Sequence, residues 1–184
     1  MGRVAAIRIY PVRSTAGRDL TAADVTAGGL AGDRAWVVVG PDGAPLRGKD
    51  APALQGVTTV GDPDADVAAI GSALGRRVTL APAEQRGGVA PVHLVSSGAI
   101  DRAAQGDVPD GCSADDPRAN LLLDIDGDID GDIDGDERSW VGRTVAVGDA
   151  VLTITRTPKH CLGVYADVHT PGRVAVGDQV RLRP

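Results

Sequence analysis

The sequence has 184 residues, of which 42% are apolar, yet it contains no Phe and only two Trp and two Tyr. A core must therefore be built from Val, Leu, Ile and Ala, residues that suit pleated strands. The formal net charge is −6, but eight of the 25 carboxylates lie in residues 124–137, which leaves 17 acidic against 19 basic residues elsewhere. This balance excludes the basic footprint of a nucleic-acid-binding protein and permits an anionic small-molecule ligand.

Two cysteines do not make a disulfide framework in a chain of this size, which favours a reducing compartment. The N-terminus lacks the apolar region of a signal peptide, and no run approaches 18 apolar residues. We therefore expect a cytoplasmic protein without a membrane partner.

Short strands dominate the predicted elements. Runs of apolar residues bounded by Pro, Gly, Asp or Ser predict strands at 3–10, 35–39, 57–60, 76–80, 91–95 and 121–125. Apolar residues at helical spacing predict a helix over 64–75 that stops at Gly75. A second short helix is predicted from the Ser96–Ser97 pair to about residue 105, because serine is a favoured helix cap.

The last 45 residues contain a near-repeat. Residues 143–152 resemble residues 173–182, and in both a Gly-Asp pair stands between two β-rich arms, which predicts two hairpins. With two helices at most, many short strands and 25 glycines, the sequence predicts a mainly β fold, an antiparallel barrel with one or two short helices.

The acidic tract repeats Ile-Asp-Gly-Asp three times between Ile125 and Asp136. It matches the calcium-loop template from Asp126 to Glu137, but the repeat itself supplies every matching position except Glu137. The flanking residues are strand-like, whereas an EF-hand needs helices. We therefore favour a solvated hairpin loop inserted at 124–137 over a calcium site.

Cys161 is the candidate nucleophile or metal ligand. It follows Arg156, Lys159 and His160, and nearby positive charge stabilises a thiolate, which a transition metal accepts as a ligand. The alternative is a small buried residue at the edge of a strand, the usual role of a cysteine outside disulfides.

Other polar residues stand next to predicted strands. Each is by itself an ordinary turn or cap residue. Together they supply the guanidinium, hydroxyl and amide groups that a phosphorylated heterocyclic cofactor requires. They are Arg13, Ser14, Arg34, Lys49, Ser96, Ser97, Arg118 and Asn120.

Eight stretches, in order along the chain, carry a family resemblance. They are Tyr10-Pro-Val-Arg-Ser14, Gly29-Leu-Ala-Gly-Asp-Arg34-Ala-Trp36, Lys49-Asp-Ala-Pro-Ala-Leu54, Pro91-Val-His-Leu-Val-Ser-Ser97, Pro117-Arg-Ala-Asn-Leu-Leu122, Asp136-Glu-Arg-Ser-Trp140, Val147-Gly-Asp149 and Cys161. This set resembles the MOSC domain family, proteins similar to the C-terminal domain of molybdenum cofactor sulfurase and to the amidoxime-reducing enzymes.

The resemblance implies one MOSC-type domain over 1–184, with an N-terminal β-rich segment at 1–60 and a MOSC core at 76–184. It also implies that the protein binds the molybdenum cofactor, molybdopterin, with Cys161 as the molybdenum ligand. Arg13, which replaces the family's usual lysine, would hold the pterin phosphate with Ser14 and Arg34. The other polar residues named above would line the remaining pocket.

The implied activity is either reduction of an N- or S-oxygenated small molecule at molybdenum or sulfur transfer through Cys161. An electron or sulfur donor protein would then be a partner. The family has a loop of some tens of residues after its cysteine, whereas here residues 162–168 follow at once. That difference favours the alternative, a non-catalytic cofactor carrier or a degenerate barrel that acts as a binding module, and it leaves enzymatic activity open.

Overall fold

The computed structural model describes residues 2–83, 90–109, 112, 117–125 and 136–183. The strands are β1 Gly2–Ile9, β2 Arg18–Leu20, β3 Ala22–Thr26, β4 Gly29–Leu30, β5 Trp36–Val39, β6 Thr79–Pro82, β7 Val92–Ser96, β8 Leu121–Ile125, β9 Thr144–Val147, β10 Ala150–Arg156, β11 Val164–Thr170, β12 Gly172–Ala175 and β13 Gln179–Arg183. The helices are α1 Pro63–Leu74 and α2 Ser97–Ala104, with 3-10 helices at Pro52–Gly56 and Glu137–Trp140.

The chain divides into two compact units, described separately below. The first, here called the barrel unit, comprises the described residues within Met1–Ile7, Leu20–Ala31 and Val89–Pro184. The second unit comprises those within Arg8–Asp19 and Gly32–Gly88.

Seven strands form a closed barrel in the barrel unit. Their order is β13-β9-β10-β11-β7-β8-β1, and the pairing of β1 with β13 closes the ring. All neighbours are antiparallel except β7 and β8, which pair in parallel. The predicted mainly β barrel with two helices is confirmed, with this parallel pair as an exception to its antiparallel pattern.

Alternation of side chains explains how the barrel holds a core. In β10, Ala150, Leu152 and Ile154 are fully buried while the residues between them are partly exposed, as expected where successive side chains point to opposite faces of a strand. β7 is buried along its whole length. The predicted aliphatic core is therefore present, because Val, Leu and Ile fill these positions.

The two predicted hairpins differ in outcome. β9 and β10 pair across Gly148 and Asp149, with Val147 opposite Ala150, and Gly148 supplies the positive φ of 54° that this tight turn requires. The second hairpin is wrong, because β12 pairs with β3 and β13 pairs with β9 and β1. The Asp178 carboxylate accepts a hydrogen bond from the Ala175 backbone N–H at 2.7 Å, an alternative to strand pairing that lets the chain leave one sheet for another.

The second unit packs β5, β6, α1 and the 3-10 helix Pro52–Gly56 around an apolar cluster. Its buried members are Val12, Val38, Ala51, Leu54, Val57, Ile70 and Val78. α1 begins at Asp62, whose carboxylate accepts from the Ala65 N–H at 2.9 Å, and ends at Gly75 in the left-handed conformation with φ 60°. The predicted helix and its glycine stop are thus confirmed.

Residues 57–60 do not form the predicted strand. Only an isolated bridge joins Ala16 and Thr58. The buried carboxylate of Asp66 accepts hydrogen bonds from the backbone N–H groups of Val60 and Gly61 at 2.8 and 2.9 Å, so these donors are used by a side chain rather than by a neighbouring strand.

Neither α-helix of the described chain has the length and apolar composition needed to cross a bilayer.

Candidate functional site

A cleft of about 140 Å³ opens in the barrel unit beside Cys161. It lies among α2, the 3-10 helix Glu137–Trp140 and the connection between β10 and β11. Its lining residues are Ala99, Arg102, Asp107, Pro109, Glu137, Arg138, Thr157, Pro158, Cys161, Leu162 and Gly163. We refer to it as the Cys161 cleft.

Cys161 is half-buried, and neither it nor Cys112 forms a disulfide bond. The sequence neighbours Lys159 and His160 are exposed. Arg156 is also exposed, and its guanidinium lies 5.1 Å from the centre of the Tyr165 ring, a cation–π distance.

The backbone after Cys161 is tightly packed. Leu162 is buried in an apolar cluster with Val95, Ala99 and Ala103. Gly163 has a φ of 80°, and a Cβ atom there would lie 2.0 Å from the carbonyl oxygen of Leu94. Only glycine fits this approach of two backbone segments.

Glu137 places a buried charge in the wall of the Cys161 cleft. Its residue exposure is 1%, its carboxylate accepts a short hydrogen bond from the Ser96 hydroxyl, and Arg102 donates to both of its oxygens at 3.2 Å. Arg102 also bonds Asp136 at 3.2 Å. A buried carboxylate is tolerated only with such charged and hydrogen-bonding partners.

Arg138 and Asp136 form a second pair at this cleft. The Arg138 guanidinium donates to both oxygens of Asp136 at 2.9 Å, and a further nitrogen lies 3.2 Å from Asp107. The side-chain hydrogen bond from Arg138 holds the pKa of the Asp136 carboxyl below its usual value, although partial burial acts in the opposite direction.

His93 connects the neighbouring strands to the segment after Cys161. Its Nε2 lies 2.7 Å from the Leu162 carbonyl oxygen, and its ring packs edge-on against Tyr165 with centroids 4.9 Å apart. The Asn120 side-chain oxygen accepts the His93 backbone N–H at 3.1 Å, and the Asn120 N–H donates to the His93 carbonyl at 2.8 Å. Asn120 thereby fixes the start of β8 beside β7.

The two predicted serines both have protein partners. Ser96 caps α2 by accepting the Ala99 N–H at 3.0 Å, and its single hydroxyl proton goes to Glu137. Ser97 lies 3.4 Å from an Asp124 oxygen and accepts the Ile125 N–H at 3.3 Å.

In the second unit, two predicted segments run side by side. The Arg34 N–H donates to the Tyr10 carbonyl at 2.7 Å, and the Arg13 N–H donates to the Trp36 carbonyl at 2.8 Å. The Arg34 guanidinium pairs with buried Asp33 and lies 4.9 Å from the centre of the Tyr10 ring. Asp33 also accepts the Tyr10 N–H at 2.8 Å, so one carboxylate orients both segments.

Arg13 has a donor without a protein acceptor. Its Nη2 is buried and makes no hydrogen bond within the described chain. Ser14 follows it, and a Cβ on Gly48 would lie 3.5 Å from the Ser14 Cβ, so the segment that carries exposed Lys49 passes beside Ser14. A buried N–H of this kind costs free energy unless a ligand satisfies it.

Backbone strain coincides with the predicted site. Among the described residues, the non-glycine residues with positive φ are Ser14 at 69°, Arg34 at 51° and Arg118 at 53°. All three belong to the set predicted from sequence. Left-handed backbone at residues other than glycine is costly and is concentrated at ligand-binding and active sites.

Sequence reasoning missed Arg102, Glu137 and His93 as neighbours of Cys161. Glu137 belongs to the calcium-loop template and to the Asp136–Trp140 stretch, but neither assigns it a role beside Cys161. For His93 a signal was available, because a polar ring between apolar residues of a buried strand requires a polar partner. Arg102 gave no such signal, since its acceptors lie 34 and 35 residues away.

Metal ligation by protein side chains alone is not evident in this part of the chain. Within the described ranges, no three His, Cys, Asp or Glu side chains are grouped as ligands for a metal ion. The calcium-loop hypothesis concerns residues 126–137, of which residues 126–135 lie outside the described residues.

A solved structure of low sequence identity has a similar fold. The solved YuaD protein of Bacillus subtilis is 15% identical, with a TM-score of 0.56 over 99% of this chain and 96% of that one. The YiiM protein of Escherichia coli is 12% identical, with a TM-score of 0.47 over 99% of this chain and 70% of that one. No curated protein sequence gives a significant match.

The family profile described as the MOSC N-terminal beta barrel domain matches residues 1–102. This match covers more than half of the 184 residues and supports the resemblance seen in the sequence motifs. The chain belongs to the MOSC family.

Proposed function

We propose that this MOSC protein binds a molybdenum cofactor and uses it to reduce an N- or S-oxygenated small molecule. The observation that carries the proposal is the positive φ of Ser14, Arg34 and Arg118, residues that the family resemblance assigns to the cofactor. Left-handed backbone at these polar residues is what a ligand-binding role predicts.

The residues present suit the cofactor in two respects. The buried Nη2 of Arg13 lacks an acceptor within the described chain, and a phosphate oxygen is a strong acceptor for a guanidinium N–H. Cys161 offers a half-buried sulfur in a cleft, a ligand that a transition metal accepts as a thiolate. In the second unit, Arg13 and Ser14 are the candidates for holding a phosphate. In the barrel unit, Cys161 is the candidate for holding a metal.

Arg34 has a different role from Arg13 in this proposal. Its guanidinium already binds Asp33 and lies over Tyr10, so its orientation is fixed before any ligand arrives. A pre-oriented guanidinium loses little conformational entropy on binding. Arg34 would therefore help to orient the phosphate, whereas the buried Nη2 of Arg13 would gain a hydrogen-bond acceptor.

When bound, the cofactor supplies the two-electron redox chemistry. The protein's contribution is to bind and orient, and an external electron donor completes the reaction. Sulfur transfer is the second candidate, because Cys161 places a half-buried thiol in a cleft and a cysteine can carry sulfur as a persulfide. In that case a sulfur donor is the partner, and the thiol itself is the carrier.

Cofactor content tests the proposal. The full chain is produced in a bacterial host that makes the cofactor, and molybdenum and pterin are measured per chain by mass spectrometry and by fluorescence after oxidation. We expect stoichiometric molybdenum in the wild type and its loss in Cys161→Ala, with Cys112→Ala as the matched control that retains it. Wild-type protein free of molybdenum and pterin would contradict the reductive proposal.

A cofactor-loaded protein then separates reduction from sulfur transfer and from a carrier role. Reduction predicts turnover of an N-hydroxylated or S-oxide substrate with an artificial electron donor. Sulfur transfer predicts a mass increase of one sulfur atom on Cys161 after treatment with a persulfide donor. Loaded protein that shows neither is the result expected of a carrier.

A further inference from the structure

We propose that His93 is a positioning residue that fixes the Cys161 thiol in its cleft through the backbone of Leu162. The proposal rests on the proposed function for the role of Cys161 and goes beyond it by naming what holds the thiol in place. His93 lies on β7, and 68 residues separate it in sequence from the cysteine that it positions.

The hydrogen bond from His93 has a defined direction. Its Nε2 lies 2.7 Å from the Leu162 carbonyl oxygen, and the residue is 5% exposed. A carbonyl oxygen only accepts hydrogen bonds, so Nε2 carries the hydrogen. The Leu162 residue is likewise 5% exposed, and a buried carbonyl that lost this donor would be costly.

Three further contacts hold the same short segment. The Leu162 side chain is buried against Val95 and Ala99. Gly163 lies so close to the Leu94 carbonyl that no Cβ fits. The next residues enter β11, where Tyr165 pairs with His93 along the backbone and packs against its ring.

Cys161 is the last residue before this restrained segment. It is only half-buried, and on its N-terminal side Lys159 and His160 are exposed and belong to no strand or helix. The restraints that begin at Leu162 therefore act on the backbone directly next to the thiol. Among these, the His93 hydrogen bond joins a side chain to the backbone next to the thiol, so a substitution at His93 removes it directly.

The rate of Cys161 alkylation measures this restraint. The full chain is produced with Cys112→Ser, which leaves Cys161 as its single thiol, in a host that cannot make the molybdenum cofactor. Reaction with iodoacetamide, a neutral reagent, is followed by mass spectrometry. The variants are His93→Leu, which removes the donor, and His93→Gln, whose side-chain amide places an N–H near the position of Nε2. His169→Leu, at an exposed histidine, is the control.

We expect His93→Leu to be alkylated about tenfold faster than the parent, because loss of a buried hydrogen bond promotes local opening by about that factor. His93→Gln should stay within about twofold of the parent, since the donor is restored. Equal rates in the parent and His93→Leu, or equally raised rates in His93→Leu and His93→Gln, would overturn the proposal.

Folding is checked by thermal unfolding of each variant. If His93→Leu does not fold, His93→Asn replaces it, because its shorter amide does not reach the Leu162 carbonyl. In that comparison His93→Asn must react faster than His93→Gln, and equal rates overturn the proposal. Since the protein carries no cofactor here, the result is independent of the molybdenum measurement that tests the proposed function.

Discussion

Arg102 donates hydrogen bonds to both carboxylate oxygens of Glu137, each at 3.2 Å, from the last turn of α2 across to the 3-10 helix. The side-chain exposures of the two residues are 26% and 1%. The Ser96 hydroxyl completes the set of donors to this carboxylate. Because the charge of Glu137 is removed from water, its partners determine whether it stabilises or destabilises the barrel unit.

Glu137→Gln should lower the free energy of unfolding by about 2 kcal/mol, because it deprives Arg102 and Ser96 of a charged acceptor and leaves a buried amide. Urea unfolding followed by circular dichroism measures the change. Asp24→Asn is the matched control, since its ion pair with Arg173 is 70% and 63% exposed and should contribute at most about 0.5 kcal/mol. Equal losses of unfolding free energy in the two variants would show that the buried Glu137 stabilises the protein no more than an exposed ion pair does.

Asp136 predicts a pH dependence of stability. The hydrogen bond from Arg138 lowers the pKa of Asp136 in the folded protein below its ordinary value of 3.8. Its contribution is therefore fully present above about pH 4 and is lost as the pH falls through the lowered folded pKa. Asp136→Asn should be less stable than the wild type at neutral pH, and this difference should shrink below about pH 4.

The measurement for Asp136 is the unfolding free energy of both proteins across the acid range. Other carboxyl groups titrate there as well, but their contributions are common to the two proteins and cancel in the difference. A difference that stays constant from neutral to acid pH would contradict the assignment of the stabilising charge to Asp136.

Local chemistry was sufficient to predict many elements of the fold. Gly75 ends α1 and Ser96 begins α2 because the left-handed conformation and the helix cap require these residue types. The sequence did not indicate which strands pair with each other. The Gly-Asp pair at 177–178 resembles the one at 148–149, yet only the latter forms a hairpin, since the Asp178 carboxylate binds Ala175. Which acceptor such a backbone donor finds depends on tertiary contacts.

Several residues of the candidate site were likewise predictable from the sequence, but their hydrogen-bond partners were not. The family resemblance led to Cys161, Arg13 and the three residues with positive φ. The sequence could not indicate that the hydroxyl proton of Ser96 goes to Glu137. Nor could it indicate that His93 binds the carbonyl of Leu162. Both contacts join residues at least 41 positions apart, and no local pattern encodes them.

Gly163→Ala should lower the free energy of unfolding by about 3 kcal/mol or more, because the added Cβ combines positive φ with a clash against a backbone carbonyl that cannot rotate away. Gly142→Ala is the matched control. Its φ of 89° is similar, but a Cβ there meets nothing within 4 Å, so only the conformational cost of about 1 kcal/mol applies. Equal losses measured by urea unfolding would exclude the close approach to Leu94 as the cause.

Arg13 and Arg34 should respond in opposite ways when each is replaced by Met in cofactor-free protein. Arg34→Met removes the partner of buried Asp33 and should cost about 2 kcal/mol. Arg13→Met removes a buried N–H that has no acceptor within the described chain, so stability should be unchanged or higher by up to about 1 kcal/mol.

The Arg13 substitution should nevertheless abolish pterin retention when the protein is made in a host that supplies the cofactor. Stability measured by urea unfolding and pterin by fluorescence give independent readouts. A loss of stability in Arg13→Met as large as that in Arg34→Met would mean that Arg13 serves the fold rather than a ligand.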